Sequence, residues 1–138
     1  MDHLSKAERA YFKAAKAMAE SSQHRFQVGA VLVHRHRIVG RSCNSTTKTD
    51  IIQAQLDSKR YGCYCEGKLH AESALLIPFI KRRVDLSGAS IYVYRTKKDK
   101  TNAMARPCVS CMELIKACGI KKVYYSTDFG YAVEIIAT

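Results

Sequence analysis

Two short segments, His70-Ala71-Glu72 and Pro107-Cys108-Val109-Ser110-Cys111, limit what this 138-residue chain can fold into more than any other feature. Between them they hold one imidazole, one carboxylate and two thiols, so a fold that uses them together must join distant stretches of chain. A catalytic Zn²⁺ site takes three protein ligands and keeps a fourth position open. His70, Cys108 and Cys111 suit those three places. Glu72 is left over, two residues from His70, where a helix sets it on a different spoke of the same turn. A carboxylate beside such a site but off the metal is placed to move protons as a general acid and base.

The spacing has a mechanical logic. Cys108 and Cys111 are three residues apart, so on a helix they share a face. Pro107 stands just before them, where a proline fixes the chain's entry into the first turn. The positive end of the helix dipole then lies against the thiols and favours thiolates.

Composition sets the setting for this chemistry. The length fits a single domain, residues 1–138, and 47% apolar residues supply a core. No apolar run approaches a membrane span, and the first residues, Met1 to Lys6, lack the apolar stretch of an export signal. A cytoplasmic protein with no membrane partner is therefore expected. In that setting the six cysteines read as metal ligands and reduced thiols rather than disulfides. The formal net charge of +11 favours phosphorylated small molecules or nucleic acid as partners, against the plain alternative of a solvated basic surface.

The periodicity predicts a helix over 5–21, opened by a Ser5/Glu8 capping box and buried along Leu4, Ala7, Tyr11, Ala14 and Met18. Two strands over 27–43 follow, with His34-Arg35-His36-Arg37 as their turn. Residues 44–69 carry a weak pattern, with a short helical piece at Ile51 to Leu56, and lead into His70. The second helix starts near His70 and is kinked or ended by Pro78. A strand over Ile91–Tyr94 precedes a basic loop, Arg95 to Arg106. The third helix runs from about Pro107 to Cys118 and stops at Gly119. Strands over 121–125 and 131–136 flank a turn at Asp128-Phe129-Gly130, and they must be antiparallel if they pair. Alternation of this kind places helices over a central sheet, an α/β fold, with both site helices starting at one end of it.

His-x-Glu followed by Pro-Cys-x-x-Cys is the signature of the zinc nucleobase deaminases. From Gln27 to Tyr125 the chain resembles the cytidine deaminase superfamily, in particular its deoxycytidylate and cytidylate deaminase-like branch. Val28-Gly29-Ala30-Val31-Leu32 resembles the strand that lines that family's base pocket, and His70 stands where free cytidine deaminases usually have cysteine. Ser42-Cys43-Asn44-Ser45 replaces the Gly-Tyr-Asn-Gly of the deoxycytidylate enzymes, keeping only the asparagine. Ala105-Arg106-Pro107 lacks the glutamate that tRNA adenosine deaminases carry before the proline. An antiparallel last strand would resemble free cytidine deaminases rather than the tRNA-editing branch.

The resemblance implies a three-layer α/β/α sandwich around a mixed five-stranded sheet, with the last strand antiparallel, and a homo-oligomer. It implies Zn²⁺ on His70, Cys108 and Cys111, Glu72 as the catalytic proton carrier, and Asn44 on the sugar. Ala30 and Ala71 then border the substrate. Arg106 and the loop Arg95 to Lys100 are candidates for its phosphate, on equal terms with a plain solvated loop, and Phe26, Tyr61 or Tyr131 could stack on the base, although ordinary packing is the more common role of such residues. The expected reaction is hydrolytic deamination of a cytosine nucleotide to its uracil counterpart with release of ammonia. Two alternatives remain: a deaminase of a base in RNA or single-stranded DNA, and a non-catalytic zinc module in which Cys63 or Cys65 closes the metal site. Cys43, Cys63 and Cys65 could also hold a second metal.

Overall fold

The computed structural model describes residues 4–45 and 70–136. Helix α1 (Lys6–Glu20) opens on the expected box. The Glu8 amide donates to Ser5 Oγ at 3.1 Å and the Ser5 amide to Glu8 Oε1 at 2.8 Å, so two otherwise orphaned donors are satisfied. Its buried face is Phe12, Ala15 and Ala19, with Tyr11, Ala14 and Met18 beside them. This stripe lies one residue later than the periodicity suggested, and Ala7 is exposed.

The reason is Gly29 on β1 (Gln27–His34). A Cβ built there would lie 2.2 Å from the Ala15 carbonyl oxygen and 2.3 Å from the Ala19 nitrogen. Helix backbone rests directly on strand backbone, which draws the alanine face inward. Gly29→Ala should therefore lower stability by about 1–3 kcal/mol or more, read as a fall in the urea midpoint; an unchanged midpoint would show that the helix does not sit this close.

β1 turns into β2 (Arg37–Cys43) through Arg35 and His36, whose φ values are +54° and +65°. Two positive-φ residues make the two-residue turn that suits a hairpin's twist, a position where Asn-Gly is usual. Here two full side chains occupy it. The Tyr11 hydroxyl donates to the His36 carbonyl at 3.0 Å and pins the turn to α1.

The remaining elements are α2 (Ala71–Lys81), β3 (Ser90–Thr96), β4 (Asn102–Ala103), α3 (Val109–Ala117), β5 (Lys122–Thr127) and β6 (Gly130–Ile135). The sheet order is β2-β1-β3-β5-β6, with β4 added to the end of β3. β1 is antiparallel to β2 and β3, β3 is parallel to β5, and β6 is antiparallel to β5. The mixed sheet and its antiparallel last strand are as expected. The sixth strand, β4, falls inside what the sequence presented as one basic loop.

Period-two alternation sorts the side chains onto two faces. Val31, Val33, Tyr92, Tyr94 and Tyr124 face α1 and meet Phe12. Ala30, Leu32, Ile91, Val93, Val123 and Tyr125 face the other way, against Leu75 and Leu76 of α2 and Leu114 and Ile115 of α3. That is a three-layer α/β/α sandwich. Fully burying a leucine or isoleucine contributes about 1.5–3 kcal/mol, and this second face, buried in both layers, seats the two helices that carry the site.

Two helix boundaries differ from expectation. α2 does not end at Pro78 but runs on to Lys81, with Leu75, Leu76 and Ile77 buried just before the proline. α3 begins at Val109, not Pro107, with Cys108 as its N-cap; Gly119, at φ +81°, ends it as expected. Among the described residues no helix is long and apolar enough to cross a membrane.

Candidate active site

α2 and α3 both begin at the end of the sheet where β1 starts and β3 and β5 finish. His70 is the N-cap of α2, with extended backbone. Its amide donates to Ser73 Oγ at 3.0 Å, and Ser73 Oγ donates to the His70 carbonyl at 3.1 Å. Ser73 is fully buried. This fixes the backbone from which the imidazole projects, a role carried by the His-x-x-Ser spacing that the motif reading passed over.

Cys108 caps α3 and Cys111 is its third residue, three positions on and on the same side. Cys111 Sγ lies 3.3 Å and Cys108 Sγ 3.7 Å from His70 Nδ1. The three ligand atoms all fall within 4.8 Å of one another. A tetrahedral Zn²⁺ with bonds of about 2.0–2.1 Å to nitrogen and about 2.3 Å to sulfur needs an N···S separation of about 3.6 Å. The two distances bracket that value, so this donor set fits zinc. Among the described residues it is the only such cluster. Cys43 is half-buried on β2 and outside it, while Cys63 and Cys65 lie outside the described residues.

The electrostatics agree with the geometry. Contact with the Cys111 thiol, aided by the His70 ring, outweighs burial and brings the Cys108 thiol down to about 4. A thiol already inclined to ionise is a ready metal ligand.

Glu72 is the second residue of α2 and only 5% exposed. Burial raises its carboxyl above the ordinary range; the His70 ring opposes that rise. The charges of both the His70 ring and the Cys108 thiol act on this carboxyl, which is not one of the three clustered ligand atoms.

The candidate substrate residues divide. Ala30 and Ala71 are fully buried on the α2/α3 side of the sheet. Ser42, which pairs with Ala30, donates from its hydroxyl to the Ala71 carbonyl, tying β2 to the head of α2. Asn44 is a buckle: its Oδ1 accepts from Ser22 Oγ at 2.6 Å and the Val28 amide at 3.1 Å, and its Nδ2 donates to the Phe26 carbonyl at 2.6 Å. One Nδ2 hydrogen is left over from these bonds.

Arg106 is engaged from within the chain. Its Nε and Nη2 donate to Glu134 Oε2 at 2.5 Å and Oε1 at 3.0 Å, a bidentate pair with β6. The basic loop is a tight turn between β3 and β4, closed by the Lys97 amide on the Thr101 carbonyl at 2.9 Å. Lys97 pairs with Asp128 and Lys100 with Glu20, each at 3.5 Å.

Of the aromatic candidates, Tyr131 sits 4.2 Å from Phe12, on the α1 face and therefore across the sheet from the cluster. The sequence could not show this, because it follows from the register of β6. Phe26 is at the site's end of the sheet, and Tyr61 lies outside the described residues.

Residues 4–127 match the family model of the cytidine and deoxycytidylate deaminase zinc-binding region. The chain belongs to this family. It is a zinc-dependent hydrolytic deaminase, and the His70/Cys108/Cys111 cluster fits the metal that the family binds. Among solved structures, the deaminase resembles the apo dCMP deaminase of the cyanophage S-TIM5, with 27% identity and a TM-score of 0.59 over 85% of this chain and 79% of that one. The same phage enzyme in complex with dCMP and dUMP shares its fold at 23% identity and a TM-score of 0.59, over 89% and 83% of the two chains. A structure from work on tRNA:A34 deaminases matches at 25% identity and a TM-score of 0.53, over 85% and 74%. No curated protein sequence matches the deaminase.

Proposed function

We propose that this deaminase acts on a cytosine nucleotide of the cytidylate or deoxycytidylate type, releasing ammonia and leaving the uracil nucleotide. The observation that carries the reading is a set of three ligand atoms at zinc spacing, with the buried Glu72 carboxyl on the same first turn as His70 and under the influence of the His70 and Cys108 charges. In this reading His70 Nδ1, Cys108 Sγ and Cys111 Sγ hold Zn²⁺, which when bound lowers the pKa of a water to about 7. Glu72 takes a proton from the attacking water and passes it to the ring nitrogen next to the amine-bearing carbon. It then takes the second proton of the added water from the hydroxyl now on that carbon and hands it to the amine, so that the C–N bond breaks, ammonia leaves and the carbonyl of uracil forms. Burial suits it to the task, because a carboxyl raised toward the working pH both accepts and returns a proton readily.

The remaining Nδ2 hydrogen of Asn44 is available to a sugar hydroxyl, while Ala30 and Ala71, fully buried, belong to the packing beneath the head of α2. One observation supports a free cytosine compound over an RNA base: the antiparallel β6, the arrangement that resembles free cytidine deaminases.

The test is ammonia release by the zinc-loaded protein across nucleosides, nucleotides and short oligonucleotides of all bases. Cytosine mononucleotides should turn over fastest. Turnover confined to adenine or guanine compounds, or to oligonucleotides, would overturn the assignment.

A further inference from the structure

The two faces of the sheet are covered unequally. α2 and α3 share one face. On the other, α1 packs chiefly on β1 and β3, and the ring of Phe12 ends its cover 4.2 Å from that of Tyr131. Neighbouring strands lie about 4.8 Å apart, and a helix with its side chains is about 10 Å wide. The α1 side of β5 and β6 is therefore a strip one helix wide. α2 and α3 cannot fill it from the opposite face, and they are the only other helices among the described residues.

The register of β6 shows what lies on this strip. Val133 pairs with Tyr124 and Ile135 with Lys122, so both side chains stand on the Tyr124 side of the sheet, the side of α1. Val133 is 50% exposed and Ile135 74%. Tyr131 continues the row, and Phe129, 96% exposed, ends it at the β5–β6 turn. From Phe129 to Ile135 the row is about 20 Å long. Single exposed apolar residues are ordinary, whereas a continuous row along an edge strand marks a contact surface. At its Ile135 end the row meets a socket: Lys122 and Tyr124 also line a cavity of about 570 Å³ beneath the start of α1, with Tyr92, Arg35 and Ser87 among its other walls.

The rim of the strip is basic. Arg9, Lys13 and Lys16 are spaced four and three apart, so they share one side of α1. The Lys16 ammonium lies 5.9 Å from the centre of the Tyr94 ring, which is 6.4 Å from that of Tyr131. That side of the helix thus looks along the sheet toward β5 and β6. Lys122 stands on the strip itself, and Arg35 at the socket. The acids nearby are engaged elsewhere. Glu8 accepts from the Ser5 amide, Glu20 pairs with Lys100, Asp128 with Lys97, and Glu134 lies across the sheet on Arg106.

We propose that the uncovered β5–β6 strip docks an amphipathic helix of a partner polypeptide, with apolar residues on Tyr131, Val133 and Ile135 and acidic residues against Lys13, Lys16 and Lys122. Such a helix lies beside α1 and completes the layer. A second copy of this chain is the wrong partner, because a net charge of +11 and a basic rim repel their like. Nucleic acid matches the rim but not a floor of branched aliphatic side chains. The strip is on the sheet face opposite the metal-binding cluster, so docking leaves the catalytic site open. The proposal is independent of the choice of substrate.

A helix that spans the row needs about 13–15 residues. The probe is a peptide of that length with leucine along one stripe and glutamate on both flanks. It is titrated into the zinc-loaded protein while the Val133 and Ile135 methyl signals are followed by NMR. Saturable shifts of both are expected. Affinity should fall roughly 10-fold or more in V133K/I135K and in K13E/K16E, as for loss of central contacts, and should fall with added salt. V39K, at an exposed position on the other edge strand, should bind as the wild type does. Ammonia release at the wild-type rate shows that each variant is folded; if V133K/I135K is not, K13E/K16E decides. A peptide with lysine in place of glutamate should bind at least about 10-fold more weakly. No shifts with the acidic peptide, or equal binding of the lysine peptide, overturn the proposal. So do shifts of the same methyls caused by a single-stranded oligonucleotide instead, which assign the strip to nucleic acid, or by raising the protein concentration alone, which assign it to a second copy.

Discussion

Glu72→Gln should reduce turnover by about 10²–10⁴-fold, the usual loss when a general acid/base is removed, while zinc content and the unfolding midpoint stay close to those of the wild type. The argument is geometric. Glu72 belongs to the first turn of α2, where His70 is the cap, so its carboxyl is carried by the same rigid backbone as the imidazole. Ser73, on the following position, locks that backbone to the His70 amide. The ligand cluster consists of His70, Cys108 and Cys111 without Glu72. Glutamine keeps the shape and fills the same buried space but cannot shuttle a proton. Turnover and zinc content measured on the same preparation decide between the two roles. If zinc is lost in proportion to activity, Glu72 is a ligand. If activity persists near the wild-type level, the proton-transfer role is wrong.

The parts of this site that were legible in the sequence are those whose chemistry dictates residue type and short-range spacing. Two thiols three positions apart behind a proline, and a carboxylate two positions after a histidine, are local patterns. The structure brings them together because the sheet places the starts of α2 and α3 at one end. The capping box of α1 was legible for the same reason, since Ser5 and Glu8 interact across a single turn.

What escaped depends on partners distant in sequence. Arg106 looked available because Glu134 is on another strand, and only the pairing of β5 with β6 brings it within reach. Tyr131 read as ordinary packing first and base stacking second, and only the same strand's register, which sets it against Phe12, shows which. The α1 stripe shifted because its closest approach is set by the missing side chain of Gly29. The uncovered β5–β6 strip has no local signal at all, since it is defined by where α1 lies on the sheet.

Removing a ligand should act on stability as well as on catalysis, and Cys111→Ala gives the largest expected effect. Cys111 is fully buried, and its sulfur lies 3.3 Å from His70 Nδ1, so a metal held there ties α3 to the head of α2. A ligand bound only by the folded state stabilises it by RT ln(1 + [L]/Kd), about 4 kcal/mol when free zinc exceeds the dissociation constant a thousandfold. For a chain of this length that is a rise in melting temperature of roughly 10–20 °C. The informative quantity is the difference between melting with excess zinc and melting with a chelator, taken within each protein. This separates the metal's contribution from the packing lost when a buried side chain is shortened. The wild type and Glu72→Gln should both show the full difference. Cys111→Ala should show little of it, and Cys108→Ala and His70→Ala should behave in the same way, because two remaining ligands cannot hold zinc at a comparable free concentration. Cys111→Ala with an undiminished zinc-dependent rise would mean that the metal is held by other residues, and the ligand set drawn from His70, Cys108 and Cys111 would fall.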